Sequence, residues 1–132
     1  MKIAAIIIRT LLGLAFIVFG LNAFYHFIPM KDPPTGLAGD FMKVMFESHY
    51  YYAIAVLQIA GGVLCLTGLF TPLGLTLLVP VIVNILLFHI FLERKGLPIA
   101  IGVSVCALFL VFVHRAAFAG LFRPFHSGGN QK

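Results

Sequence analysis

The sequence predicts an all-α membrane protein: an up-down-up-down bundle of four transmembrane helices, with a short amphipathic helix in the first loop. Of the 132 residues, 61% are hydrophobic and only 10% are charged, whereas a soluble domain is about one-quarter charged. The apolar residues form four continuous stretches, each long enough to cross a hydrocarbon layer about 30 Å thick. Strands of a membrane barrel would instead alternate apolar and polar residues. The stretches fill the chain, so we expect a single domain over residues 1–132.

The positive charge is typical of a membrane protein rather than of a nucleic-acid-binding protein. The net charge is +5, but the lysines and arginines stand singly or in pairs near the ends of apolar stretches. At those positions they meet lipid headgroups. We expect the partners to be the lipid bilayer and other membrane subunits, or further copies of this chain, and no nucleic acid.

The first two apolar segments cover about residues 3–28 and 50–70. The first is too long for the apolar part of a signal peptide, and no small-x-small cleavage motif follows it. The connection between the two segments is long. From Leu37 to Glu47 its apolar residues recur at helical spacing among charged ones, which predicts an amphipathic helix at the membrane surface.

The third and fourth segments cover about residues 72–92 and 97–120, with a polar tail over 121–132. Thr71 is suited to cap the third helix, with Pro72 at its first position. Pro80 predicts a kink within that helix.

The orientation follows from the loops and the charges. Short connections place both termini and Thr71 on one side of the membrane, and the long loop and the turn around Glu93 on the other. Lysine and arginine are slightly more frequent on the terminal side, which favours cytoplasmic termini. We expect the protein in the cytoplasmic membrane of a prokaryote.

Glycines predict how the first two segments pack. Membrane helices associate where small residues allow their backbones to approach. At about 1.5 Å of rise per residue, Gly20 matches Gly61 in depth and Gly13 matches Gly68. We expect the two helices to pack as antiparallel neighbours along these glycines.

Polar residues gather toward the long-loop side, where they predict a pocket covered by the amphipathic helix. A polar group inside a membrane helix is costly without a partner and marks a candidate site. The candidates are Asn22, His26, Gln58, Asn84, His89 and Glu93. The alternative interpretation is that they form interhelical hydrogen bonds or reach water at the helix ends.

Cofactor and metal hypotheses rest on few residues. His26 and His89 are the only pair that we consider as axial haem ligands. They form no zinc-binding motif with Glu93, so we assign no metal. Cys65 and Cys106 differ in predicted depth by about 8 Å, which is too far for a disulfide.

On the terminal side, Arg9, His114 and Arg115 occupy similar depths. Snorkelling to lipid headgroups explains the two arginines. A site for an anionic ligand or lipid headgroup is the alternative.

The chain resembles the DoxX-like family of small four-helix membrane proteins. The resemblance rests on three stretches: residues 9–13 continuing to Gly20, the run from Gln58 to Pro72, and residues 84–89. It implies the four-helix fold. The family takes its name from a subunit of an archaeal thiosulfate:quinone oxidoreductase, and a related animal branch resembles receptor-assembly chaperones. Where the family often has a glutamate, this chain has Gln58.

Two functional hypotheses remain. In the first, the protein is an accessory or assembly subunit of a larger membrane complex. In the second, which the resemblance suggests, it is a quinone-linked oxidoreductase subunit whose polar pocket holds the quinone headgroup. No catalytic residue is assigned. The cofactor stays open: quinone is possible, whereas nothing beyond the His26 and His89 pair indicates a haem.

Overall fold

The computed structural model of the protein describes residues 2–29 and 32–124. Within these residues the chain forms α-helices and two short 3₁₀ turns, Arg94–Gly96 and Ala119–Phe122, and no strand. The α-helices are α1 (Lys2–Tyr25), α2 (Gly36–Glu47), α3 (Tyr50–Thr67), α4 (Thr71–Phe91), α5 (Leu97–Val113) and α6 (Arg115–Phe118).

Four helices are long and apolar enough to cross a membrane: α1, α3, α4 and the stretch Arg94–Val113 that contains α5. The protein is therefore an all-α integral membrane protein, as predicted. The up-down-up-down order of the whole bundle stays a prediction. The predicted amphipathic helix is present as α2.

Backbone geometry sets the ends of the first two membrane helices. α1 ends at Tyr25, before the predicted boundary, and His26 follows with a φ of 51°. α3 ends at Thr67 because Gly68 adopts a φ of 74°. In that conformation the Gly68 N–H bonds the Leu64 carbonyl at 3.2 Å, which is a usual way for a helix to end at glycine.

The fourth predicted helix is shorter than expected and needs correction. α5 stops at Val113 rather than continuing to 120, and the chain proceeds through α6 and a 3₁₀ turn. The break falls at His114, which has a φ of −99° and a ψ of 20°. Its ring Nδ1 lies 2.9 Å from the Leu110 carbonyl oxygen. Residues 125–132 of the predicted tail lie outside the described residues.

The membrane helices form a closed arrangement in which α3 lies between α1 and α4, and α5 packs on α4 and α1. Cys65, Leu75, Leu78 and Leu110 have the largest fully buried side chains. α2 packs on α3 and reaches α4, where the rings of Phe41 and Phe88 lie 5.6 Å apart.

Two glycines of α1 allow its backbone to touch that of α3. A Cβ atom at Gly13 would lie 2.7 Å from the Gly62 carbonyl oxygen, and one at Gly20 would lie 2.9 Å from that of Ala55. Real Cβ atoms do not approach so closely, so only glycine fits at these points. Gly13 of α1 contacts Gly62 of α3, whereas Gly20, further along α1, contacts Ala55, nearer the start of α3. The two helices are therefore antiparallel.

The predicted partners of these glycines are wrong. Gly61 faces α4, where a Cβ atom would lie 2.7 Å from Leu78 Cγ and 3.1 Å from the Gly74 carbonyl oxygen. Gly68 contacts the Arg9 side chain instead of Gly13. Neighbouring residues point about 100° apart on a helix, so Gly61 and its neighbour Gly62 face two different helices, α4 and α1.

Replacing Gly13 with alanine should destabilise the bundle. The added methyl group meets backbone atoms of α3, which cannot move aside as a side chain can, and overpacking of this kind costs about 1–3 kcal/mol. The check is thermal unfolding in detergent. Gly102→Ala is the matched control, because a Cβ atom there meets nothing within 4 Å. Equal melting temperatures for the two variants would contradict the assigned contact.

Candidate functional site

Asn22 and His26 line a cleft of about 340 Å³ at the end of α1. It is also lined by Tyr51 of α3, by Met42 and Phe46 of α2, and by Ala23, Ile28 and Pro29. The amphipathic helix therefore covers part of the predicted pocket. The contribution of Met42 and Phe46 was missed, because the sequence does not show which face of α2 is turned to the bundle.

The amide of Asn22 also holds the chain that leaves α1. Its Oδ1 accepts a hydrogen bond from the backbone N–H of Ile28 at 2.7 Å, and the backbone carbonyl of Asn22 accepts one from the N–H of His26 at 2.8 Å. The side-chain oxygen of Asn22 is thus bonded to the segment that follows α1, while its side-chain NH₂ group is available to the cleft.

Two aromatic rings, Phe46 and Tyr51, line the cleft, and others pack at the same end of the bundle. Phe46 lies 4.7 Å from Tyr51, and Phe24 stacks on Tyr52 at 5.0 Å between ring centroids. His49 also stacks on Tyr52, at 5.5 Å. These contacts join α1, α2 and α3 at one end of the bundle.

His89 and Glu93 do not line this cleft; they shape the turn between α4 and α5. His89 Nδ1 lies 2.9 Å from the Glu93 carbonyl oxygen, and because a carbonyl only accepts, Nδ1 carries the proton. The imidazole ring also contacts Gly96. The Glu93 carboxylate accepts a hydrogen bond from the N–H of Lys95 at 3.2 Å.

Asn84 and Gln58 lie apart from the other candidates. Asn84 is exposed on α4, and its amide donates to the Pro80 carbonyl of its own helix at 3.0 Å. Gln58 is only 5% exposed, and its Oε1 has no hydrogen-bond partner among the described residues. The six predicted pocket residues are thus divided among four places, and the structure brings only Asn22 and His26 together in a cleft.

The described residues contain no group of three or more His, Cys, Asp or Glu side chains that could hold a metal ion. His26 lines the cleft beneath α2, whereas His89 lies at the turn between α4 and α5. The two histidines therefore do not line the same cleft. Cys65 and Cys106 are free thiols, the first of them buried.

At the other end of the bundle, Arg9 binds the end of α3. Its Nη1 donates to the carbonyls of Cys65 and Leu66 at 3.0 and 3.2 Å. A cation at a helix C-terminus also interacts favourably with the helix dipole. Snorkelling therefore does not account for Arg9, and this partner could not be read from the sequence.

A second cleft, of about 400 Å³, opens beside Arg9. His114 lines it as well, together with Lys2 and Thr71, which the sequence did not mark as site residues. Arg115 is not part of its lining. The Arg115 guanidinium lies 4.4 Å above the Phe112 ring and donates to the Phe112 carbonyl at 2.9 Å.

The fold and these clefts define a small helical membrane protein whose membrane helices pack through glycine. A model of the DoxX family matches residues 4–90, which is more than half of the chain, so the protein belongs to the DoxX family. Comparisons with curated proteins and with solved structures gave no match.

Replacing His89 with phenylalanine should lower the melting temperature. The phenylalanine ring can still pack on Gly96, but the hydrogen bond to the Glu93 carbonyl is lost, at a cost of about 1 kcal/mol. Phe91→Leu is the control, because Phe91 is 76% exposed on the last turn of the same helix. A His89→Phe variant as stable as the wild type would show that the bond does not hold the turn.

Proposed function

We propose that this DoxX-family protein is an accessory or assembly subunit that docks on a partner membrane protein through the outer face of α4. The observation that carries this proposal is the exposed amide of Asn84. Asn84 is seven residues from the end of α4 at Phe91, or about 10 Å into the membrane. A polar group facing hydrocarbon at that depth is costly and is stabilised by a partner helix.

A second polar group lies on the same face of α4, at Thr76. Thr76 and Pro80 precede Asn84 at intervals of four, so the three share one face of α4, and all three are exposed. Because proline has no N–H, the Thr76 carbonyl lacks its usual helical donor. The Thr76 hydroxyl is already used, since it donates to the Pro72 carbonyl at 2.8 Å.

The hydrogen-bonding groups of Asn84 that have no partner among the described residues indicate the chemistry of the partner protein. Asn84 uses one N–H on its own helix, which leaves Oδ1 and a second N–H. The face thus offers an amide with both donor and acceptor, with apolar neighbours Val83 and Leu87 beside it. It suits a transmembrane helix that carries a hydroxyl or amide side chain at the same depth. The predicted cytoplasmic position of both termini, in a prokaryotic membrane, is retained as part of this proposal.

Asn84→Leu should weaken partner binding about fivefold, since a hydrogen bond between membrane helices is worth about 1 kcal/mol. The measurement is photo-crosslinking in the host membrane, with the reactive amino acid at position 87 and the adducts identified by mass spectrometry. Val83→Leu is the control, because Val83 is exposed beside Asn84 and is apolar. An adduct yield that is unchanged by Asn84→Leu would overturn the proposal, and adducts containing only this chain would identify a homo-oligomer instead.

Quinone binding is the second candidate function, and the cleft at Asn22 and His26 favours it. Quinone oxygens accept hydrogen bonds, and the imidazole of His26, the phenol of Tyr51 and the amide NH₂ of Asn22 are donors at one cleft. The aromatic and apolar walls suit a planar ring. In this function the cleft would bind the headgroup of the quinone, while a partner protein supplies the electrons.

His26→Gly tests this second function cleanly. Glycine accepts the positive φ of residue 26 without strain, so only the imidazole is lost. We expect the purified protein to retain several-fold less host quinone and to bind added ubiquinone-1 more weakly. His49→Gly is the matched control, because His49 also has a positive φ, of 65°, and does not line the cleft. Equal quinone binding by both variants would rule out His26 as a ligand.

A further inference from the structure

The acidic residues of this chain all belong to one end of the bundle. The sequence has only four, and they are Asp32, Asp40, Glu47 and Glu93. They fall in the loop before α2, in α2 itself and after the end of α4. No carboxylate side chain therefore lies at the other end of the bundle. That end is formed by the start of α1, the end of α3, the start of α4 and the end of α5.

The cleft of about 400 Å³ lies at this acid-free end. Each of the four membrane helices contributes to its lining or its border, through Lys2 and Arg9 of α1, Gly68 after α3, Thr71 of α4 and His114 after α5. Ala5, Ile6 and Val113 add apolar walls. Basic side chains from two parts of the chain thus converge on one concave site.

Arg9 is the deepest of these charges, about 10 Å along α1 from Lys2, and it is partly buried. Its bonds to the Cys65 and Leu66 carbonyls satisfy donors on one nitrogen, Nη1. Carbonyl groups do not neutralise the charge of a guanidinium, and Nη2 and Nε keep further donors. A partly buried cation at membrane depth is costly without an anion.

The start of α4 adds positive potential to the same cleft. The residue before it, Phe70, provides no side-chain cap, and Pro72 has no N–H, so the N–H groups of Thr71 and Leu73 at the start of this 21-residue helix are left to other acceptors. Helix N-termini favour anions for this reason. The contribution is secondary to that of Arg9 and Lys2.

From this arrangement we propose that the cleft binds a phosphate group, with Arg9 and Lys2 as its charged ligands and His114 and the start of α4 at its edge. The phosphate supplies a negative charge that no acidic side chain provides at this end. Its two sources are the headgroup of an anionic phospholipid and free inorganic phosphate. The site is independent of the α4 face and of the cleft at His26.

A carboxylate placed beside Arg9 provides the most direct test. Ile6→Glu puts an acid three residues before Arg9, on the same face of α1, at a position that lines the cleft and is 48% exposed. It should supply the missing counter-charge and exclude the phosphate. Ile7→Glu is the control, because Ile7 is 52% exposed and does not line the cleft.

The measurement uses the full chain in phosphatidylcholine nanodiscs with and without phosphatidylglycerol. Retained phosphatidylglycerol is counted by native mass spectrometry after detergent release, and inorganic phosphate is titrated in a separate arm. We expect Ile6→Glu to lower retention at least about tenfold, and Ile7→Glu to leave it near the wild-type level. Phosphate that binds and displaces the lipid identifies free phosphate as a ligand, whereas lipid binding that resists phosphate identifies the headgroup.

A second pair of variants separates this site from general surface charge. Arg9→Gln should lower retention strongly, while Arg115→Gln removes an equal charge at the same end of the bundle but outside the cleft. Because Arg9 also binds the end of α3, Lys2→Gln provides the same test if Arg9→Gln fails to fold. Equal losses for cleft and non-cleft variants, or no binding of either probe, would overturn the proposal.

Discussion

The close approach of the α3 backbone to its neighbours on two sides is the contact on which the rest of the structure depends. Lipid is as apolar as the helices, so burial of apolar side chains does little to bring membrane helices together, and close packing must do so. Gly62 provides that packing toward α1 and Gly61 toward α4. With α1 this close, the Arg9 side chain reaches the carbonyls at the end of α3. The position of the cleft beside Arg9 follows from the same contact.

Several polar side chains of the membrane portion support the backbone at places where helices end. Asn22 holds the chain after α1, and His89 holds the turn after α4. His114 lies at the break after α5. Such bonds explain how polar residues persist in a membrane protein without belonging to one reactive site. Asn84 differs from them, because its amide is exposed on the outside of the bundle, and this contrast favours a docking role.

The two ends of the bundle have different chemistry. One end carries the acidic residues, the aromatic rings and the cleft beneath α2. The other carries basic residues around a cleft without any acid. We propose different ligands for the two ends, and a protein partner for the outer face of α4 between them. Membership of the DoxX family rests on residues 4–90 and does not by itself show what these surfaces bind.

The sequence by itself determined the number of membrane helices and the position of α2, because the length of an apolar run and its periodicity reflect bilayer thickness and helix geometry. It did not determine which way each residue faces. A step of one residue turns a side chain by about 100°, so depth alone could not show that Gly61 faces α4 or that Asn84 faces outward. The partners of Arg9 could not be predicted either, because every residue has a backbone carbonyl and the sequence does not show which one a side chain reaches. Only the packing of the helices decided these points.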